Sequence, residues 1–220
     1  MHRQAAGGTG RLLACPVCGV RLDAGLVACP NAWCGRADRG FSVAFSVGVH
    51  TGALRHALLR YKYNRELWWS EVFAGNVARY LRANSTWFEE FDLITGVPAY
   101  TGSGSRRGWD PVGTILEKLE TLVGHEWEVA GGVLAKTAET RPMQRLSAAG
   151  RRALATGPLR RVLAVPRPEV VDGARVLVFD DVMTGGGTLR EVARALRAAG
   201  AEEVAGLVLA RLPWAGRPPV

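Results

Sequence analysis

Apolar positions along the chain follow two rhythms, and each rhythm predicts a different element. Over residues 41–49, Phe41, Val43, Phe45, Val47 and Val49 alternate with small or polar residues, the period of a half-buried strand leading to a turn at Thr51-Gly52. Residues 53–63 switch to helical spacing, with Leu54, Ala57, Leu58 and Tyr61 on one face, and residues 66–81 predict a second amphipathic helix. A short apolar run at 91–97, ended by Pro98, predicts a buried strand. The loop at 100–108 is rich in Gly and Ser and carries Arg106-Arg107. A helix at 112–123, a strand at 127–135, a polar, basic and weakly periodic stretch at 136–152 and a short strand at 162–165 follow.

The last third is the most regular. Residues 174–179 are continuously apolar; Gly185-Gly186-Gly187 comes next, then a helical face of Leu189, Val192, Ala193 and Leu196. Gly200 stops that helix, and residues 204–209 form a second apolar run. Strand, loop, helix and strand, with both strands apolar throughout, make a βαβ unit. The expected fold class is therefore α/β with a parallel-sheet core and flanking helices.

Composition agrees with a folded chain: 220 residues, 48% hydrophobic and 22% charged, enough to bury a core and unlike disordered or collagen-like sequences. No apolar run reaches the roughly 20 residues of a membrane span. Residues 1–10 lack the apolar core of a signal peptide, so a soluble cytoplasmic protein with no membrane partner is expected. Lys and Arg number 28 against 20 acids, a net charge of +8. That excess suits nucleic acid or an anionic small ligand alike. Only Lys62, Lys118 and Lys136 are lysines, a bias that also fits a GC-rich genome.

All four cysteines lie close together: Cys15, Cys18, Cys29 and Cys34, spaced C-x2-C-x10-C-x4-C. Four soft ligands with none left over suit tetrahedral Zn2+, and Gly19 lets the first tight turn close. A site filled entirely by thiolates is structural. A redox pair and two disulfides are the alternatives; Pro/Gly flanks disfavour the first, and the missing export signal the second. The first forty residues, too few for a core, would form a metal-held module (1–40) ahead of one domain (41–212) and a Pro-rich tail (213–220).

Chemistry concentrates at Val176-Leu177-Val178-Phe179-Asp180-Asp181-Val182-Met183-Thr184-Gly185-Gly186-Gly187-Thr188. Two acids stand at the C-terminal end of a buried strand, where parallel sheets place their ligands. A glycine turn flanked by Thr184 and Thr188 then enters a helix N-terminus, an anion cradle of backbone N–H groups. The spacing matches neither a nucleotide-hydrolase phosphate loop nor a dinucleotide fingerprint. Carboxylates for hydroxyls and a loop for phosphate together fit a sugar phosphate.

This stretch resembles the 5-phosphoribosyl 1-diphosphate (PRPP) motif of type I phosphoribosyltransferases, with Gly185 where a second Thr is common. Cys15, Cys18, Cys29 and Cys34, with Tyr61-Lys62-Tyr63, Val97-Pro98, Arg107-Gly108-Trp109, Lys136-Thr137, Thr140, Gln144, Leu146 and Arg151, resemble the ComF branch of that superfamily. The ComF loop after Pro98 is more basic and ends R-G-F-N-Q; here it ends Arg107-Gly108-Trp109-Asp110-Pro111. The resemblance implies a type I phosphoribosyltransferase fold with a hood containing the zinc module. It implies transfer of a 5-phosphoribosyl group from PRPP to a nitrogenous acceptor, with release of diphosphate and Mg2+ bound alongside PRPP. Asp180 and Asp181 would contact the ribose hydroxyls. Val182, Met183, Thr184, Gly185, Gly186, Gly187 and Thr188 would hold the 5-phosphate, and Pro98, Ala99 and Tyr100 the diphosphate, in a turn that often has unusual peptide geometry. Arg107, Lys136 and Lys62 either neutralise the leaving diphosphate or are solvated charges. Residues 136–152 would be the closing catalytic loop, and Trp214 either stacks on the acceptor or packs against the hood. A second reading is a ComF-like competence protein that binds single-stranded DNA through its basic surface, its zinc module and Trp33, Trp68, Trp69, Trp87 and Trp109, although the helical pattern assigns Trp68-Trp69 to the core. A third is a PRPP-sensing regulator. A homodimer stays open.

Overall fold

The computed structural model describes residues 14–20, 29–31, 33–140, 147, 150, 153 and 155–213. In chain order these form β1 (Ala44–Val49), α1 (Gly52–Asn64), α2 (Trp69–Ala83), α3 (Ser85–Phe88), β2 (Leu93–Gly96), α4 (Pro111–Val123), β3 (Ala135–Lys136), β4 (Leu163–Ala164), β5 (Arg175–Met183), α5 (Gly187–Ala198) and β6 (Glu203–Arg211). A four-stranded sheet runs β1-β6-β5-β2 with every pair parallel, and β3 and β4 form a separate antiparallel ribbon.

The apolar runs become strands because both faces of the sheet are covered. Leu177 and Phe179 of β5 and Leu207 and Leu209 of β6 join the α1, α2 and α4 side chains on one face. Val176, Val178, Val204 and Val208 meet Leu189, Val192, Ala193 and Leu196 of α5 on the other. Each fully buried Leu or Val there contributes about 1.5–3 kcal/mol relative to exposure. Cys15, Cys18, Val20 and Cys34 pack into this second cluster with Phe41 and Ala44. The backbone N–H of Ala44 donates to the carbonyl of Val17 at 2.7 Å, which fastens the cysteine segment to the start of β1.

Several expectations shift. The first strand begins at Ala44 and the second helix at Trp69. The strand expected at 127–135 reduces to one parallel bridge between Val129 and Ile94, because a turn at residues 131–132 breaks it. β5 does not stop ahead of the acids; it continues to Met183, because β6 keeps pairing with it through Met183–Arg211. Trp68 is not a core residue: it is 54% exposed and stacks on Trp69, whose ring continues onto Phe73. No helix among the described residues is long and apolar enough to cross a membrane. Gln144, Leu146, Arg151, Trp214, most of residues 136–152, and residues 1–13 and 214–220 lie outside the described residues.

Candidate functional site

Parallel pairing brings the C-terminal ends of all four strands to one edge of the sheet, and a cavity of about 270 Å³ opens there. Its walls come from six places in the chain: Lys62 of α1; Val97, Pro98 and Ala99 after β2; Arg107 and Asp110 ahead of α4; Asp180–Thr184 of β5 and its turn; Gly186, Gly187 and Thr188 at the start of α5; and Val208 of β6. Tyr100, Gly185 and Lys136 do not line it.

Asp180 and Asp181 are consecutive strand residues, so their side chains leave opposite faces of the sheet. Asp181 turns toward α1 and forms an ion pair with Lys62 Nζ at 2.5 Å; the two side chains are 11% and 12% exposed. Asp180 Oδ1 accepts the Asp181 N–H at 2.8 Å. Desolvation first, and then the Asp181 charge, push the Asp180 carboxyl up to about 8, against the opposing pull of Lys62. The pair is thus short of positive charge at one end, the condition a cationic or hydroxyl-bearing ligand would relieve.

The turn after β5 enters α5 through Gly186, whose φ of +85° is left-handed. A Cβ at that position would stand 2.7 Å from Met183 Cε. Glycine in the capping position presents the helix N-terminus to the cavity without a side chain in front of it. Gly185 is different: its φ is not left-handed, and a Cβ there would meet nothing within 4 Å. The turn accordingly has room for the second Thr that the PRPP motif commonly carries.

Asp110 is a cavity residue that sequence reasoning missed as a functional group. Its carboxylate accepts the N–H groups of Val112 and Gly113, both at 3.0 Å, and Pro111 fills the first helical position of α4. Burial raises the Asp110 carboxyl above the ordinary range, against the opposing pull of the Gly113, Ala99 and Val112 backbone N–H groups. The sequence does carry a signal for it: an Asp-Pro pair ahead of an amphipathic run marks a helix start. Arg107 reaches the cavity with its guanidinium 5.6 Å from the Tyr63 ring centre. Lys136 lies on β3 near Arg106 and Glu139, and burial lowers its ammonium below the usual lysine range. The turn at 97–100 contains no cis peptide bond.

The four cysteines meet as the spacing predicts. All four are free thiols, and their sulfurs lie within 4.8 Å of one another. The Cys18 and Cys29 sulfurs are 3.7 Å apart, close to the ~3.8 Å edge of a tetrahedron with Zn–S bonds of about 2.3 Å. Cys15 and Cys29 each accept the N–H of the residue two places on, Val17 and Asn31, at 3.4 Å. Gly19, at φ +64°, closes the first turn. The Cys34 thiol donates to Cys18 and, with the Val20 N–H and Arg211, pulls Cys18 down to about 4 in spite of burial. Burial pushes Cys29 up to about 12. A pocket that stabilises one thiolate and crowds three further thiols around it fits a soft divalent cation.

With this geometry in view, one comparison is decisive for the C-terminal part. Residues 130–218 match the phosphoribosyl transferase domain. That span contains the acid pair, the glycine turn, α5 and β6, so this part of the α/β core is similar to a phosphoribosyl transferase domain, and the small four-cysteine module lies N-terminal to it. No curated protein matches the chain. Similar solved structures include an allosteric regulatory enzyme of purine biosynthesis (23% identity, TM-score 0.37, covering 63% of this chain and 25% of that one). A glutamine PRPP amidotransferase from B. subtilis shares 27% identity at a TM-score of 0.31, over 54% of this chain and 22% of the other. A purine phosphoribosyltransferase from Pyrococcus horikoshii Ot3 shares 18% identity at a TM-score of 0.38, over 70% and 94%. The chain therefore spans about a quarter of the length of the first two.

Proposed function

We propose that this protein binds PRPP and transfers its 5-phosphoribosyl group to a nitrogenous acceptor, as a ComF-like phosphoribosyltransferase of the cytoplasm. The observation that carries the reading is the cavity in which the Asp180–Asp181 pair, the Lys62 ammonium and the Gly186 helix entry face one another. The turn at Met183–Thr188 holds the 5-phosphate on backbone N–H groups. Asp180 and Asp181 take the ribose hydroxyls and stabilise positive charge at C1 as the C1–O bond to diphosphate breaks and the C1–N bond forms. Pro98 and Ala99 receive the diphosphate, with Arg107 as a bidentate cation beside it. Lys62 holds Asp181 in place through their ion pair. The acid pair and the open cavity also fit a hydrated Mg2+ carried by the diphosphate, which would supply charge neutralisation for the leaving group. Residues 1–40 form the zinc module of the hood, 41–212 the transferase domain and 213–220 a tail.

Mg2+–PRPP titration by calorimetry, followed by diphosphate release in the presence of a panel of bases and amines, tests the proposal. Asp180→Asn should weaken binding or turnover by at least about tenfold, the loss of one charge-assisted contact. An unchanged variant would mean that the acid pair is not the active site. Single-stranded DNA binding with steep salt dependence and no PRPP turnover would favour the competence reading instead; PRPP binding with no turnover on any acceptor would favour a sensor.

A further inference from the structure

Arg211 ends β6 and is 5% exposed. Its guanidinium reaches in two directions at once. Nε donates to the Cys18 carbonyl at 3.2 Å and Nη2 approaches the Cys18 sulfur at 3.7 Å. Nη1 donates to the Met183 carbonyl at 3.0 Å and also to the Thr184 carbonyl. One buried side chain therefore touches a member of the cysteine cluster and the first two peptides of the glycine turn.

Two physical arguments give these contacts a consequence. In a trans peptide, C=O and N–H point in opposite directions. Carbonyls of Met183 and Thr184 drawn toward Arg211 leave the N–H groups of Thr184 and Gly185 pointing away from it. A guanidinium is also always charged, and burying it without a counter-charge is costly. No carboxylate pairs with Arg211 among the described residues, so the anions that can balance it are the thiolate cluster on one side and a phosphate held by the turn on the other.

We propose that Arg211 is a positioning residue that couples the four-cysteine metal site to the phosphate turn. Metal loading fixes Cys18, Cys18 fixes the guanidinium, and the guanidinium orders the Met183–Thr188 backbone for an incoming phosphate. The metal site then acts on PRPP affinity although it touches no substrate. The coupling to ligand rests on the PRPP reading; the coupling between metal and backbone does not. By linkage the effect is reciprocal, so PRPP also slows metal loss.

Amide hydrogen exchange at residues 183–188, measured on the zinc-loaded protein and after chelation under reducing conditions, reads the coupling directly. In the wild type, chelation should speed exchange of these amides and weaken PRPP binding by about tenfold, within the usual range of coupling between sites. Arg211→Met should retain bound zinc, as counted by release to a chromophoric chelator, yet exchange quickly at 183–188 whether zinc is present or not. Arg211→Lys, which keeps the charge but not the fork, should fall between the two and serves if the Met variant does not fold. Unchanged exchange on chelation in the wild type, or full metal dependence in both variants, overturns the proposal; so does a wild type that holds no zinc. A wild type that shows metal-dependent exchange but never binds PRPP leaves the coupling standing and refutes the proposed substrate.

Discussion

Replacing Lys62 by Met removes one charge and keeps nearly the same length, which isolates the electrostatic role of this side chain. In the native protein Lys62 Nζ sits 2.5 Å from Asp181 Oδ2, and both side chains are about nine-tenths buried. Breaking a fully buried pair by removing one partner costs about 3–5 kcal/mol, because the remaining charge is left uncompensated. Here the loss leaves two adjacent acids, Asp180 and Asp181, without their cation, but the cavity admits some water. A cost of about 2–3 kcal/mol is expected, equivalent to about 4–12 °C in melting temperature for a chain of this size. Asp181→Asn should cost less, about 1 kcal/mol, because the Asn carbonyl can still accept from Lys62, which lines the water-admitting cavity. In Lys62→Met/Asp181→Asn the second change should remove most of the damage of the first. Urea unfolding of the four proteins in a double-mutant cycle measures this, and a coupling of at least about 1 kcal/mol is expected. Additivity within about 0.5 kcal/mol, or a Lys62→Met protein as stable as wild type, would refute the view that this pair organises the site.

Two further predictions concern the same edge of the sheet. Gly186→Ala places a Cβ at φ +85° and 2.7 Å from Met183 Cε; it should cost about 1–2 kcal/mol and lower PRPP affinity. Gly185→Ser meets open space and should leave the melting temperature within a degree or two while adding a phosphate donor. A damaging Gly185→Ser beside a harmless Gly186→Ala would invert the assignment of the turn. Asp180 has a carboxyl raised in the folded state to about 8, whereas the unfolded chain titrates near 4. The folded protein keeps a proton that the unfolded chain has already lost, so the stability tied to this group is full below about pH 4 and is lost as pH rises toward about 8. Urea midpoints across that window should fall more steeply for the ligand-free wild type than for Asp180→Asn; parallel curves would show that Asp180 ionises freely.

The C-terminal βαβ unit is legible in the sequence because its signals are local. Period-2 and period-3.6 patterns, a glycine turn and two acids in series specify β5, the turn, α5 and β6 within one short stretch. The end of β5 escapes the pattern for a tertiary reason: pairing with β6 holds Asp180 through Met183 extended where the side chains alone predict a loop. The strand expected at 127–135 shrinks to the single Val129–Ile94 bridge because the turn at residues 131–132 takes the chain off the sheet edge. Helical spacing points Trp68 inward, yet it precedes α2 in a turn, where that spacing no longer sets direction.

The four-cysteine cluster, the acid pair and the glycine turn are written in the chain itself, since in each case the groups concerned lie close together in sequence. What those groups work with follows from packing alone. Lys62 reaches Asp181 from another element, Asp110 joins Ala99 on the cavity wall, and Arg211 meets Cys18 across 193 positions. The charge excess divides in the same way. Arg175 pairs with Glu90 and Glu203, and Arg160, Arg190 and Arg194 all converge on the buried Glu191. A count of arginines sums inward and outward charges alike; packing separates them, because a guanidinium can leave water only where the fold supplies acceptors for it.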